Sequence, residues 1–185
     1  DPNHSHVVVT RGLLDKLEPI ELEGVLAHEL SHIGNYDIRV MTLAVVLAGL
    51  IALVSDFFLR WSFMGAGGRK GGKDKGGGGL GIIIIILAVV AAILAPIIAQ
   101  AIKFAVSRQR EYLADASGAL LCRHPEALAR ALEKIALDPE PLEAANKATA
   151  HLYISNPLKE HQSFLNNLFS THPPTEERIR LLRSM

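Results

Sequence analysis

Apolar and polar positions follow one another along the chain in clearly different patterns. Val7-Val8-Val9-Thr10 is short and β-branched, which predicts a strand, and a small helix follows around Leu13 to Leu17. Between Pro19 and Ile33 the apolar residues Val25, Leu26, Leu30 and Ile33 sit among polar ones, and the ends carry helix signals. Pro19 suits a first turn, Glu21 and Glu23 suit the positive N-terminal end, and Gly34-Asn35 supplies a stop.

The pattern then loses its polar face. Val40 to Leu59 is nearly unbroken apolar sequence, with Ser55 and Asp56 near its far end, and Leu80 to Ile102 is a second such run rich in isoleucine. Polar residues return at Lys103, where the helix is expected to continue through Glu111 and Asp115 to about Cys122. Pro125 to Leu137 predicts a helix with Leu128, Leu132 and Ile135 as its buried stripe, ended by Asp138-Pro139-Glu140-Pro141. A short helix over Leu142 to Thr149, an ambiguous stretch from His151 to Asn156, and a turn Ser170-Thr171-His172-Pro173-Pro174 lead to a terminal helix, Thr175 to Leu182.

Two runs of about twenty apolar residues each match the thickness of a bilayer. A buried soluble hairpin is the alternative, but soluble helices seldom stay apolar all round for that length. The runs are joined by Gly65 to Gly79, a glycine-rich linker carrying Arg69, Lys70, Lys73 and Lys75 that cannot pack a core. Trp61 and Phe63 at one end, and Tyr36 and Phe104 at the other, resemble interfacial anchors. Pro96 is a candidate kink in the second run, and Asp56 lies close enough to an end to reach headgroups. The expected layout is thus a first part over 1–39, a transmembrane hairpin over 40–104 with its linker at 65–79, and a second part over 105–185 that belongs with the first. A hairpin returns the chain to the side on which it started, so the two flanking parts share one face.

Composition narrows the reading. A 185-residue chain is long enough for one domain with a core, and its hydrophobic fraction of 49% is concentrated in the two apolar runs. The 19 basic and 19 acidic residues balance, which gives no case for nucleic acid. Cys122 is the single cysteine; it excludes an internal disulfide, suits a reducing compartment, and reads as a small apolar helix residue. The chain opens at Asp1 without an initiator methionine, so a piece of something longer is expected.

The chemistry centres on His28-Glu29-Leu30-Ser31-His32. Residues four apart share a helical face, so both imidazoles can chelate one Zn²⁺, while Glu29 is turned toward a neighbouring water without itself ligating. Such a site needs one more protein ligand to keep a position open. Glu111 on a later helix is the candidate, and Asp115, one turn on, is placed to receive the N–H of a ligand histidine. The plain alternative for this pair is a salt-bridged surface helix with Arg108 and Arg110. His4 and His6 read as solvent-facing loop residues, and His151 has no partner at ligand spacing.

His28-Glu29-Leu30-Ser31-His32, the segment Arg110-Glu111-Tyr112-Leu113-Ala114-Asp115, and Thr171-His172-Pro173-Pro174-Thr175-Glu176-Glu177-Arg178 together resemble the HtpX-type membrane metalloproteases, relatives of the CAAX prenyl endopeptidases. The resemblance spans nearly the whole chain, with three motifs in order and an apolar hairpin between the first two. It implies a mainly α (α+β), gluzincin-like fold with a small β element and an inserted transmembrane hairpin. It implies one zinc held by His28, His32 and Glu111, Glu29 as the base, and a place for His172 and Arg178 at the developing oxyanion. It further implies stress-related quality control of misfolded membrane proteins as polypeptide substrates, from a multi-pass protein of the inner membrane whose active site faces the cytoplasm. Members of the family usually carry additional spans before the region where this chain starts.

One feature points the other way. Arg60, Arg69, Lys70, Lys73 and Lys75 would place the linker in the cytoplasm by the positive-inside tendency, although Arg39, Lys103, Arg108 and Arg110 dilute that bias. Two rival functions also stand: a membrane scaffold or binding module that keeps zinc without cleaving, and a soluble helical protein with coincidental motifs. An intact Glu29 argues against the first, since a purely structural site has no need of it. Substrate preference and oligomeric state are not written in the sequence.

Overall fold

The computed structural model describes residues 2–67, 78–138 and 172–185. A 3₁₀ turn at Pro2–His4 precedes helices α1 (Arg11–Lys16), α2 (Pro19–Gly34), α3 (Asp37–Gly67), α4 (Gly78–Cys122), α5 (Pro125–Leu137) and α6 (Thr175–Leu182). The linker centre at 68–77, the helix expected over Leu142 to Thr149, the stretch His151 to Asn156, and Ser170 and Thr171 lie outside the described residues.

The expected strand is a correction. Among the described residues there is no strand, and Val7–Thr10 are irregular backbone. A β-branched run needs a partner ladder to become a strand. Thr10 is instead used by the next element: as N-cap of α1 it accepts the Leu13 N–H at 3.3 Å. The ends of the expected glycine-rich linker are helical, because α3 runs on to Gly67 and α4 starts at Gly78. Once a helix exists, each further residue adds a hydrogen bond, which here offsets the low helix propensity of glycine. Helix α4 continues through Pro96.

The chain divides into two compact units, one formed by residues 1–41 and 104–185 and the other by 42–103. In the first, α5 is the central helix. Its Leu128 and Leu132 are fully buried with Leu17, Val25, Ala119, Ala129, Ala131 and Leu182, and Leu13, Leu22 and Ile179 pack around them. Polar contacts fasten the same elements. Lys134 donates to Glu21 at 2.7 Å from α5 to α2, and Arg183, just past α6, reaches both Glu126 and Glu133 on α5.

Small residues set how closely these helices approach. A Cβ at Gly24 would stand 3.0 Å from the Leu128 backbone nitrogen, and one at Gly118 would stand 2.9 Å from the His28 nitrogen and 3.0 Å from its Cα. Backbone cannot swing aside as a side-chain tip can. Gly118 lies on the α4 face that also carries Glu111 and Asp115, by the spacing of four and then three residues. Gly118→Ala is therefore expected to push this face away from α2, costing about 1–3 kcal/mol of stability and weakening metal uptake. Denaturant melts and zinc titration of the variant check this; unchanged values would mean the contact is not needed.

The second unit is apolar on its outside. The helices containing Asp37–Trp61 and Ile86–Cys122 are long and apolar enough to cross a membrane. Leu43, Leu47, Leu50, Leu53 and Phe57 on α3, and Ile86, Leu87, Ile93 and Ile97 on α4, are exposed. Among the described residues the buried positions are small ones, Ala48 and Ser55 on α3 and Ala99 on α4. Large apolar residues outside and small ones inside is the reverse of a water-soluble helix pair, and is how helices pack in lipid.

Candidate metal centre

Helix α2 supplies the two histidines. Its start is held by Pro19 in the first turn and by the Glu18 N–H donating to the Glu21 carboxylate at 2.9 Å. His28 is fully buried, and His32, one turn later, is partly so. Their rings meet edge to face with centroids 4.6 Å apart, and their Nε2 atoms lie 3.0 Å from each other. Glu111 comes in from α4, with Oε1 3.6 Å from His32 Nε2 and Oε2 3.9 Å from His28 Nε2.

The far side of each ring decides what those Nε2 atoms are. His28 Nδ1 lies 3.0 Å from Asp115 Oδ1, and His32 Nδ1 lies 2.5 Å from Asp37 Oδ2. A carboxylate hydrogen-bonded at Nδ1 takes the ring proton there and leaves the lone pair on Nε2; Asp37 is so placed behind His32, while His28 Nδ1 makes no hydrogen bond with Asp115. Two imidazole nitrogens and a carboxylate converge here. For donors at about 2.0–2.1 Å from a tetrahedral ion, neighbouring donors should be about 3.3 Å apart, close to the separations seen here. The residues fit a zinc ion. His28, His32 and Glu111 each offer one ligand atom, all within 4.8 Å of one another.

The surroundings favour a cation at this spot. Burial works against charge on the His32 ring, but its hydrogen bond to Asp37 and the negative charges of Glu111, Asp37 and Glu29 outweigh it and raise its pKa. Glu111 and Asp115 lie beyond Ile102, on the polar continuation of α4. Burial pushes the Glu111 carboxyl up, yet His172, Arg178 and His28 together hold it below the usual carboxylate range. Burial likewise pushes Asp115 up, and Arg178 and His28 more than offset it. Both carboxyls therefore stand as anions.

The C-terminal motif returns to the same place. His172 Nδ1 lies 3.2 Å from Glu111 Oε2. Arg178, on α6, is 1% exposed; its Nε and Nη2 donate to the two Asp115 oxygens, each at 2.7 Å, and its Nη1 is 3.3 Å from Glu111 Oε2. One guanidinium thus faces both the candidate ligand and the carboxylate behind His28. Glu29 is half-buried on α2, next to His28. The described residues so bring together His28, His32, Glu111, Asp115, His172 and Arg178, while His4 and His6 are exposed and take no part in this cluster.

With this geometry in view, comparison with known proteins gives a definite result. The profile of peptidase family M48 matches residues 2–185. The chain belongs to peptidase family M48. Over its whole length it is 54% identical to a "Protease HtpX homolog" of Dictyoglomus thermophilum, covering 57% of that protein. It is 49% identical to one of Caldanaerobacter subterraneus, covering 60% of it, and 50% identical to one of Listeria monocytogenes, covering 62%. The chain thus spans less than two thirds of the length of these M48 relatives. No solved structure matches it.

Sequence reasoning did not find Asp37. It lies five residues past His32, beyond the end of α2, where helical spacing has no reach. The chain turns at Tyr36, whose φ of 56° is left-handed, and this brings the first residue of α3 back onto the His32 ring. The helix stop at Gly34-Asn35 was the available signal that a new element begins there.

Proposed function

We propose that the chain is the metal-binding peptidase part of a membrane zinc endopeptidase, a gluzincin-type site in which His28, His32 and Glu111 hold one zinc and Glu29 is the general base. The observation that carries this reading is the convergence of two imidazole nitrogens and a Glu111 oxygen in a family of peptidases. When bound, zinc supplies a Lewis acid that lowers the pKa of water and polarises the scissile carbonyl.

The protein's own groups account for the remaining steps. Asp37 keeps the His32 ring proton on Nδ1, so that this histidine does not turn its N–H toward the reaction, and Asp115 stands 3.0 Å behind the His28 ring. Glu29 takes a proton from the attacking water onto its carboxylate and passes it to the leaving amine nitrogen. His172 donates a hydrogen bond to the oxygen that gains charge as the carbonyl carbon becomes tetrahedral. Arg178 holds Asp115 and Glu111 in place, which is the role best supported by its three guanidinium contacts.

The apolar exteriors of α3 and α4 support insertion as a membrane hairpin, and the family resemblance supports the flanking parts lying on the cytoplasmic side of the inner membrane. Misfolded membrane proteins are then the substrates presented to the site. The full chain reconstituted in vesicles is expected to resist alkaline extraction and to cleave casein only when zinc is present, with activity lost on chelation and restored by Zn²⁺. Cleavage that survives chelation would remove the metal from the mechanism, and release by alkaline extraction would remove the spanning hairpin.

A further inference from the structure

His28 and His32 are supported from behind by different devices. The carboxylate behind His28 is clamped by Arg178. Behind His32, Asp37 is buried and has two faces in use: Oδ2 lies 2.5 Å from His32 Nδ1, while Oδ1 accepts from Nε and Nη2 of Arg110. Arg110 also donates from Nη2 to the Asn35 carbonyl at 2.7 Å, on the turn that delivers Asp37. It is the residue immediately before Glu111.

We propose that Asp37, fixed by Arg110, is the positioning residue for His32, so that an Arg110–Asp37–His32 relay and an Arg178–Asp115–His28 relay orient the two metal-ligating rings. The inference deepens the zinc-peptidase reading and rests on it. A carboxylate at Nδ1 fixes both the tautomer and the rotation of the ring, and raises the basicity of the ligating nitrogen. Asparagine at position 37 keeps the shape but loses the charge, and its amide can present an N–H to Nδ1, which would leave the proton on the metal-facing nitrogen. Arg110 has no role of its own at the metal in this scheme; it acts by holding Asp37.

Zinc affinity of the full chain in detergent, by competition with a chromophoric chelator, and the visible spectrum of its Co²⁺ form test this. Asp37→Asn is expected to weaken zinc binding roughly 10–100-fold and to change the Co²⁺ bands, with Asp37→Glu recovering part of the affinity. Arg110→Lys should weaken binding less, and Asp37→Asn/Arg110→Lys should be no worse than Asp37→Asn alone, because the second change acts through the first. If Asp37→Asn does not fold, Arg110→Lys against wild type still decides: unchanged affinity and spectrum overturn the proposal. Affinity within twofold of wild type in Asp37→Asn, or losses that simply add in the double variant, also overturn it. A wild type that takes up no zinc would instead remove the zinc reading, and this inference with it.

Discussion

Glu29→Gln is expected to leave zinc uptake intact and to lower peptide hydrolysis by roughly 10²–10⁴-fold, the range over which a positioned acid–base group acts. The expectation follows from where the helix puts the side chain. Glu29 follows His28 by one residue, about 100° further round the helix, so it flanks the ligand face without belonging to it. Glutamine keeps the size and can still hydrogen-bond a water, but it cannot accept the proton. Loss of zinc in this variant would make Glu29 a ligand or a folding residue; full activity would leave the site without its proposed base. Retained zinc alongside a wild type that does not cleave would favour the scaffold reading.

Arg178→Ala should have the largest effect on stability. The guanidinium is 1% exposed and lies against two carboxylates on α4, Asp115 at 2.7 Å and Glu111 at 3.3 Å. Removing it leaves two buried anions facing a cavity, which costs about 3–5 kcal/mol when one partner of a buried pair is taken away. With Asp115 no longer clamped, zinc affinity should fall as well. A direct donor to the oxyanion would behave differently, with kcat lost while stability and zinc remain. Thermal melts and zinc titration of Arg178→Ala, with Arg178→Lys to keep the charge without the fork, separate the two. The geometry favours the first outcome, because two of the three nitrogens are already given to Asp115.

Much of this arrangement could be read from the sequence because it is local. The extents of α5 and α6 follow from Pro125, from the turn around Pro173-Pro174, and from the apolar spacing within each helix. The spacing of His28 and His32, and of Glu111 and Asp115, needs only helical geometry to put each pair on one face. The failures arise where the outcome depends on a partner. Val7–Thr10 have strand propensity, but propensity does not supply a neighbouring strand. Gly118 reads as an ordinary helix glycine until the His28 backbone is found against it. Asp115, which Arg178 clamps, is 63 residues away along the chain, and Asp37 depends on a left-handed turn at Tyr36, a conformation unusual for tyrosine.

X-ray absorption at the zinc edge of the full chain, with metal content measured on the same sample, tests the central claim most directly. One zinc per chain is expected, with two imidazole nitrogens and a carboxylate oxygen at about 2.0–2.2 Å, and with the metal lost when His28 and His32 are both replaced by alanine. A spectrum without imidazole ligands, or undiminished zinc in that double variant, would contradict the account.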